Sequence, residues 1–537
     1  MIKRIMIENF RSIKHLEFEP TSLCALVGPN SVGKSTILKA LDLVLGESWT
    51  SKSKVSRDLF NDVTNPITIE VDFDEPIIYD NPKWGYQEVN NIILKMLIYP
   101  YVEVNTEINH GDKFYYQDNF KKVCQFIYIP ANRDLSDELR VSQWTLLGKM
   151  MRLIQECYLK KYDNDEDKLK SDFAEKIRPA KEFLEANFDD NGITFSKFAQ
   201  IFNSYCERNN AGLASNVTPL LNIYNLNWFY KTLQINIKED YSKRDFDSEE
   251  VGSGMQNLLF ISIFQTYAEL LGKKVIFGIE EPENFLYPNA QRSLYRSFRE
   301  LSNNSQIFYT THNPNFVNAE FVNEIQMLQK TDEKGTIVLK KDKDILEDVL
   351  SENHKFKIYS HFNRERNELF FARKIIFVEG NSDKILITTI CEERWNLDLD
   401  RLGVVIIECG GKSGVNYFVG ICHAIGIENY LAVWDQDQKN SYNPRIDWLN
   451  QINGKGIEIP GNLEKYCCIQ GSKDASKIEN AYKWAVDPTN VIPTLIDKIR
   501  IFITNQNSEL IDLEGEEKYQ FNETESDEEN FDDEFPF

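Results

Sequence analysis

Two short acidic runs in the second half of the chain carry the residue types that hard metal ions need. Val378-Glu379-Gly380-Asn381-Ser382-Asp383 follows one apolar stretch, and Val433-Trp434-Asp435-Gln436-Asp437 closes another further on. If each stretch is a strand of one parallel sheet, Glu379, Asp435 and Asp437 all reach its C-terminal edge, where their oxygens suit Mg2+ or Mn2+. Two such cations can clamp the attacking and leaving oxygens of a phosphodiester. Either run alone is an ordinary surface turn in many proteins; their order, each behind an apolar strand, carries the reading.

Upstream, Gly28-Pro29-Asn30-Ser31-Val32-Gly33-Lys34-Ser35 stands between the apolar run Leu23–Val27 and the helical run Thr36–Leu45. A glycine-rich loop in that strand-to-helix context turns backbone amides toward phosphates, with Lys34 on the terminal phosphates and Ser35 on Mg2+. Asn30, Gly33 and Thr36 belong to the same nucleotide-binding loop. A second apolar run, Val275–Ile279, ends in Glu280-Glu281-Pro282-Glu283-Asn284. There Glu280 is placed to hold Mg2+ through water and Glu281 to polarise the attacking water. Gln306–Tyr309 ends in Thr310-Thr311-His312-Asn313-Pro314, and Gly252-Ser253-Gly254-Met255-Gln256 opens an apolar helix from Asn257 to Leu271. Small residues at a helix N-terminus, Ser253 among them, make an anion site.

These elements resemble known machinery. His312 resembles the switch histidine that contacts the terminal phosphate in ABC-type ATPases. The 252–256 loop resembles their signature loop, which reaches phosphates held by the other protomer and so implies a head-to-tail ATP-bound dimer. Gly252 and Met255 depart from the usual Leu-Ser-Gly-Gly-Gln, and Glu280 stands where most relatives carry Asp. The two acidic runs resemble the Toprim domain, Glu379 matching its single glutamate and Asp435 and Asp437 its paired aspartates. That resemblance implies a second metal site that includes Asp383 and a later acidic residue, assigned to Glu479 in Ser476-Lys477-Ile478-Glu479-Asn480. Val405-Ile406-Ile407-Glu408-Cys409-Gly410-Gly411-Lys412 looks like the domain's middle strand and glycine turn. With Asn9-Phe10-Arg11-Ser12 and Tyr128-Ile129-Pro130-Ala131-Asn132-Arg133-Asp134, the whole set is similar to the OLD (overcoming lysogenization defect) family of nucleases. Membership implies ATP and divalent metals as cofactors, DNA as the molecule cut or nicked, and a homodimer or larger homo-oligomer. It also implies solitary action, or a helicase or retron reverse transcriptase alongside in antiviral defence.

Composition bounds the rest. A chain of 537 residues, 42% of them hydrophobic, can hold several cores. No apolar run reaches the roughly 18 residues of a membrane-spanning helix. Met1-Ile2-Lys3-Arg4-Ile5-Met6-Ile7-Glu8 reads as an amphipathic edge strand, not a signal peptide. Nine cysteines without a C-x-x-C pair indicate reduced thiols and a cytoplasmic location, with Cys467-Cys468 as a buried pair. A net charge of −23 opposes DNA binding. Much of it lies between Asn507 and Phe537, where Lys518 is the only base and the composition is that of a disordered acidic tail. DNA contacts then fall to local bases such as Lys54-Val55-Ser56-Arg57, Lys340-Lys341 or Arg364–Arg366. The terminal Phe531-Asp532-Asp533-Glu534-Phe535-Pro536-Phe537 looks like the tip of bacterial single-stranded DNA-binding proteins, which implies exchange with such tails on partner pockets.

The expected fold class is α/β: an ABC-type ATPase head with a helical dimerisation insert, a Toprim domain of parallel strands flanked by helices, and an acidic tail. The expected boundaries are 1–134 and 216–355 for the ATPase, 135–215 for the insert, 356–366 for a connector, 367–500 for Toprim and 501–537 for the tail. The function that follows is an ATP-regulated, metal-dependent DNA endonuclease or nickase. The alternative is an ATP-gated sensor of DNA structure whose Toprim domain binds without turnover.

Overall fold

The computed structural model describes residues 1–114, 117–121, 123–131, 142, 145–185, 200, 233, 235–238, 245–247, 251–271, 275–358, 364–436, 444–452, 454–469 and 474–505. Asp437, the Asn132-Arg133-Asp134 run and the acidic tail from residue 506 lie outside them. The chain divides into two compact units, one of Met1–Phe371 with Ala424–Gly426, the other of Ala372–His423 with the described residues from Ile427 on.

In the first unit Asn236–Lys238 pairs antiparallel with Asp245–Asp247 as a separate two-stranded ladder, and twelve of the described strands form one sheet. Its order is Asp112–Lys113, Glu103–Ile108, Gly85–Leu97, Ile67–Asn81, Ile2–Phe10, Ile13–Phe18, Gly335–Val338, Ile325–Thr331, Leu23–Val27, Gln306–Thr310, Ile276–Glu280 and Phe126–Ile129. From the first edge to Ile325–Thr331 every pairing is antiparallel; from Ile325–Thr331 to Phe126–Ile129 every pairing is parallel. The sequence explains the change. Ile2–Phe10 buries Ile2, Ile5 and Ile7 and leaves much of its other face wet, as an antiparallel strand with one covered side does. Leu23–Val27, Ile276–Glu280 and Gln306–Thr310 are buried at every position, as parallel strands covered on both faces must be.

Register then positions the chemistry. Glu280 pairs with Thr310, and Thr310 with Leu26, so three strands end side by side. The segments that leave them, from Gly28, Glu281 and Thr311, share one edge of the sheet. Helix Lys34–Leu45 begins two residues earlier than its apolar pattern predicts, because Gly33 in the left-handed region, φ 105°, caps it. The helix behind Gly252 likewise begins at Ser253. In the expected insert, Thr145 caps helix Leu146–Lys161 through the Gly148 N–H, and helix Glu166–Glu185 follows. Leu146–Lys161 packs against Ser253–Leu271 within the unit. The expected connector is partly helix, since Lys343–Ile358 runs on through His354.

The second unit carries a four-stranded, wholly parallel sheet in the order Val404–Glu408, Lys374–Val378, Tyr430–Asp435, Gly456–Ile459. Helices Asn381–Thr389 and Asp474–Val486 pack on each other over a core that includes Ile376, Leu386, Val433, Ala481 and Ala485. Cys467 is buried there but Cys468, at φ 58°, is exposed, so the adjacent cysteines are not a buried pair. Two cysteines in sequence at the end of a short helix point in different directions, and only one can face the core.

One buried hydroxyl ties the antiparallel region of the first sheet to the nucleotide loop. Thr336, fully buried, lies 2.8 Å from both the Ser12 hydroxyl and the Val32 carbonyl, and its Oγ1 would be 2.7 Å from a Cβ added at Gly33. With a single proton it donates to one of these oxygens and accepts from the Ser12 hydroxyl if it gives that proton to Val32. Thr336→Val is expected to lower unfolding free energy by about 1–3 kcal/mol, the cost of orphaning a buried polar partner. Denaturant melts of the full chain check this, and an unchanged transition would contradict the clamp.

Candidate nucleotide and metal sites

At the shared edge of the large sheet, the Lys34 side chain lies under its own loop, its Nζ donating to the Gly28 carbonyl at 2.9 Å and the Pro29 carbonyl at 2.8 Å. Gly28 can sit there only without a side chain: at φ 151° an added Cβ would lie 2.5 Å from the Leu328 carbonyl oxygen. Burial pulls the Lys34 ammonium down to about 8, against the opposing pull of Glu281 and Glu283. Ser35 is half-buried, Thr36 buried with its N–H on the Gly33 carbonyl at 3.0 Å, and Asn30 exposed at the loop's crest.

Glu280 is buried, and both its oxygens are engaged: Oε1 accepts from the Tyr128 hydroxyl at 2.8 Å and Oε2 from the Ala131 N–H at 3.1 Å. Its extra methylene relative to Asp lets it reach the neighbouring Phe126–Ile129 strand and its exit. Glu281 leaves the strand at φ 43°, its N–H on the Thr310 carbonyl at 3.0 Å and its Oε2 accepting from Asn284 at 3.1 Å. His312 opens to solvent at the end of Gln306–Thr310. Partial burial of the ring, then the Lys34 ammonium, hold its imidazole below the ordinary value, with Glu281 acting the other way. Lys34, Glu281 and His312 are therefore electrostatic neighbours.

Ser253 sits exposed at the head of its helix, and that helix is fastened to the loop after Glu281 by Asn257. Fully buried, Asn257 donates through Nδ2 to the Asn284 carbonyl at 2.8 Å and the Pro282 carbonyl at 3.2 Å. Nothing local in the sequence marks Asn257, because its partners lie more than twenty residues away.

In the second unit, Glu379 directly follows Lys374–Val378, and its Oε1 accepts from the Asp435 N–H at 2.8 Å. Asp383 lies in the first turn of Asn381–Thr389, buried, with Oδ2 accepting from the Gly380 N–H at 2.9 Å. Asp435 closes Tyr430–Asp435 and accepts from the Leu463 N–H at 3.1 Å. A fourth acid joins them that the sequence reading missed. Glu464, on the short helix Leu463–Tyr466, accepts from the Ser382 hydroxyl at 3.0 Å and acts electrostatically on both Asp383 and Asp435.

Burial first, then Glu464 and Glu379, push Asp383 up to about 7 against the Gly380 N–H. Burial first, then Asp383, Glu379 and Glu464, push Asp435 up to about 8. This all-oxygen donor set, short of positive charge, fits a hard divalent cation such as Mg2+ or Mn2+. It is not drawn into a closed cage: among the described residues no group of three His, Cys, Asp or Glu side chains is gathered tightly enough to hold a metal. Glu479 is placed differently from its assignment. On helix Asp474–Val486 it is exposed and pairs with Lys483 one turn on at 2.6 Å, and it is not among the charges acting on Asp383 or Asp435. On the same helix it is Lys477 whose charge acts on Asp383, opposing the rise.

The bases considered for DNA also divide. Lys341 is drawn inside, its Nζ donating to the Asn323 carbonyl at 2.7 Å, and burial lowers it to about 8 beside Cys24 and Glu324. Lys341 is half-buried, and Lys340 beside it is exposed. Lys54 and Arg57 remain exposed.

A parallel-sheet ATPase head followed by a Toprim-like sheet with acids at its strand ends defines an ATPase–Toprim enzyme. The AAA ATPase domain family matches residues 1–121 and 87–317, and the overcoming lysogenization defect protein-like TOPRIM domain matches residues 370–437. The OLD nuclease of Thermus scotoductus is 26% identical over 466 residues, covering 81% of this chain and 82% of the relative. The Old nuclease of Escherichia phage P2 is 24% identical over 462 residues, 80% of this chain and 76% of its own. Endonuclease GajA of Bacillus cereus strain VD045 is 26% identical over 212 residues, 37% of this chain and 34% of its own. The chain belongs to the OLD family of ATPase–Toprim nucleases.

Glu464 and Glu479 can be told apart directly. Glu464→Ala is expected to weaken Mn2+ binding to the full chain by tenfold or more, on the order of 1.4 kcal/mol, whereas Glu479→Ala leaves it within about twofold. Isothermal titration calorimetry measures both, and the reverse ranking would restore Glu479 to the site.

Proposed function

We propose that the protein is an ATP-regulated, divalent-metal-dependent DNA endonuclease or nickase that acts in antiphage defence. The observation that carries the proposal is the gathering of Glu379 and Asp435, at the ends of parallel strands, with Asp383 and Glu464 on nearby helices, in a chain that also holds Lys34, Glu281 and His312 at one edge of an ATPase sheet. The names of the relatives, OLD nuclease and endonuclease GajA, support the same reaction class.

In the ATPase unit, Lys34 exchanges loop carbonyls for phosphate oxygens, and Ser35 and Glu280 serve the Mg2+ that accompanies ATP. Glu281, set beside Lys34 by the positive φ of its backbone, accepts the proton of the attacking water. His312 faces the same phosphates, and Ser253 serves those of a second copy in a homodimer or larger homo-oligomer. In the Toprim unit, bound divalent cations supply Lewis acidity to the attacking and leaving oxygens. Glu379 and Asp435 hold their orientation through the Asp435 and Leu463 N–H groups, Asp383 through the Gly380 N–H, and Asp437 adds the last carboxylate. Nucleotide state sets the spacing of the ATPase heads, and that spacing admits or excludes DNA. The site of action is the cytoplasm. No helix among the described residues is long and apolar enough to cross a membrane.

The second reading is an ATP-gated DNA-structure sensor that binds metal and DNA without cutting. Supercoiled plasmid incubated with Mg2+ or Mn2+, with and without ATP, separates the two. Wild type is expected to nick; Glu379→Ala, Asp435→Ala and Asp437→Ala are expected to lose nicking at least a hundredfold with ATP turnover within about twofold of wild type, because the two sites use separate metals. Lys34→Ala is expected to lose nucleotide affinity, and Glu281→Gln to bind ATP but not hydrolyse it. A wild type that never nicks under either metal gives the sensor reading precedence.

Partners follow from the same proposal. A reverse transcriptase or helicase of a defence system works beside the enzyme. The Phe535-Pro536-Phe537 tip, outside the described residues, competes with the tails of single-stranded DNA-binding protein for an apolar pocket, its acids covering basic surface until displaced. Removal of residues 529–537, or Phe537→Ala alone, is then expected to raise basal nicking or abolish capture of an enzyme that binds such tails. Both variants matching wild type in nicking and capture would reduce the tail to a solubilising appendage.

A further inference from the structure

Glu283 is the third acid of Glu280-Glu281-Pro282-Glu283, and the ATP chemistry above gives it no task. Its residue is 9% exposed. One oxygen, Oε1, accepts from the Thr311 hydroxyl at 2.6 Å and from the His312 N–H at 3.0 Å. The other, Oε2, is buried with no hydrogen-bond partner. A buried carboxylate left half-satisfied costs stability.

Its surroundings are those of the reaction. Lys34 feels the charge of Glu281 first and Glu283 second, and Glu281 and Glu283 act on each other. Thr311, fully buried, gives its hydroxyl proton to Glu283 and accepts from the Asn313 N–H at 3.0 Å, while the Asn313 side chain donates to Gln291 at 2.8 Å. The strand exit that carries His312 is therefore held on one side by Glu283 and on the other by helix Pro288–Leu301. Of these holds, only Glu283 also belongs to the segment that carries Glu281.

We propose that Glu283 is a positioning residue for ATP hydrolysis. By holding the Thr311 hydroxyl and the His312 amide on one oxygen, it fixes the His312 ring against Lys34 and Glu281, coupling the exits of two adjacent strands. The inference rests on the ATPase reading of this edge. It requires an acceptor at position 283, not a proton shuttle: glutamine, whose Oε1 can accept both bonds, should serve, and alanine should not.

Steady-state ATP turnover by the full chain tests it, with wild type and Lys34→Ala in the same assay to establish the ATPase reading on its own. Glu283→Ala is expected to lower kcat about tenfold to a hundredfold, the scale of a misplaced group, with KM for ATP within about threefold. Glu283→Gln should recover at least about a third of wild-type kcat, and Thr311→Val, which removes one of the two donors, should fall between. Binding of a fluorescent ATP analogue should be unchanged in all three, a pattern that general destabilisation would not give. Glutamine as inactive as alanine would overturn the proposal in favour of a charge or proton-transfer role, and alanine at the wild-type rate would overturn it outright. Should alanine fail to fold, Thr311→Val at the wild-type rate decides against it equally.

Discussion

Negative charge held at the carboxyl ends of parallel strands is the constraint on which this molecule is built. A parallel strand covered on both faces has nowhere to place a polar side chain except at its ends, and in both units those ends carry acids. In the ATPase unit the acids have a cation: Lys34 feels Glu281 and Glu283, and Glu280 is satisfied by Tyr128 and Ala131. In the Toprim unit the positive charge acting on Asp383 is Lys477, set against Glu464 and Glu379. Asp435, at about 8, lies above the 3.8 of an ordinary aspartate. With the folded value above the unfolded one, this group's ionisation makes stability fall as pH rises through the window between them. A bound divalent cation reverses that cost.

What the sequence disclosed is what lies close along the chain. Gly28–Ser35, Glu280-Glu281 and Glu379-Gly380 are each a strand end and the turn that follows it, so composition and spacing suffice. Glu464 was not legible because its place is set by fold: the Leu463 N–H lands on Asp435, and Ser382 lands on Glu464 itself. Neither partner is near it in sequence. Glu479 misled for the complementary reason. It has the right type and order, but the phase of its helix sends it to solvent beside Lys483. Asn257 and Thr336 were equally silent, each a single polar residue whose partners lie far off in sequence.

The departures from common motifs have local reasons. Glu in place of Asp at position 280 spans to the neighbouring strand exit, a reach that a shorter side chain lacks. The altered signature keeps Gly254, where an added Cβ would lie 2.9 Å from the Phe285 carbonyl oxygen, and leaves Met255 exposed. The loop thus retains the residue its packing demands and varies where it meets solvent. Local chemistry and register agree across both units, and Glu283, one of whose buried oxygens has no hydrogen-bond partner, stands at the nucleotide edge.

The central claim, that the Toprim acids are held against their own repulsion for a cation, is tested most directly by thermal melting of wild type and Asp435→Asn in chelator and in Mn2+. Asparagine keeps the acceptor for the Leu463 N–H and removes the charge. The account predicts that Asp435→Asn melts higher than wild type in chelator, and that Mn2+ raises wild type but not the variant. A variant less stable than wild type in chelator, or one that gains as much from Mn2+, would contradict it.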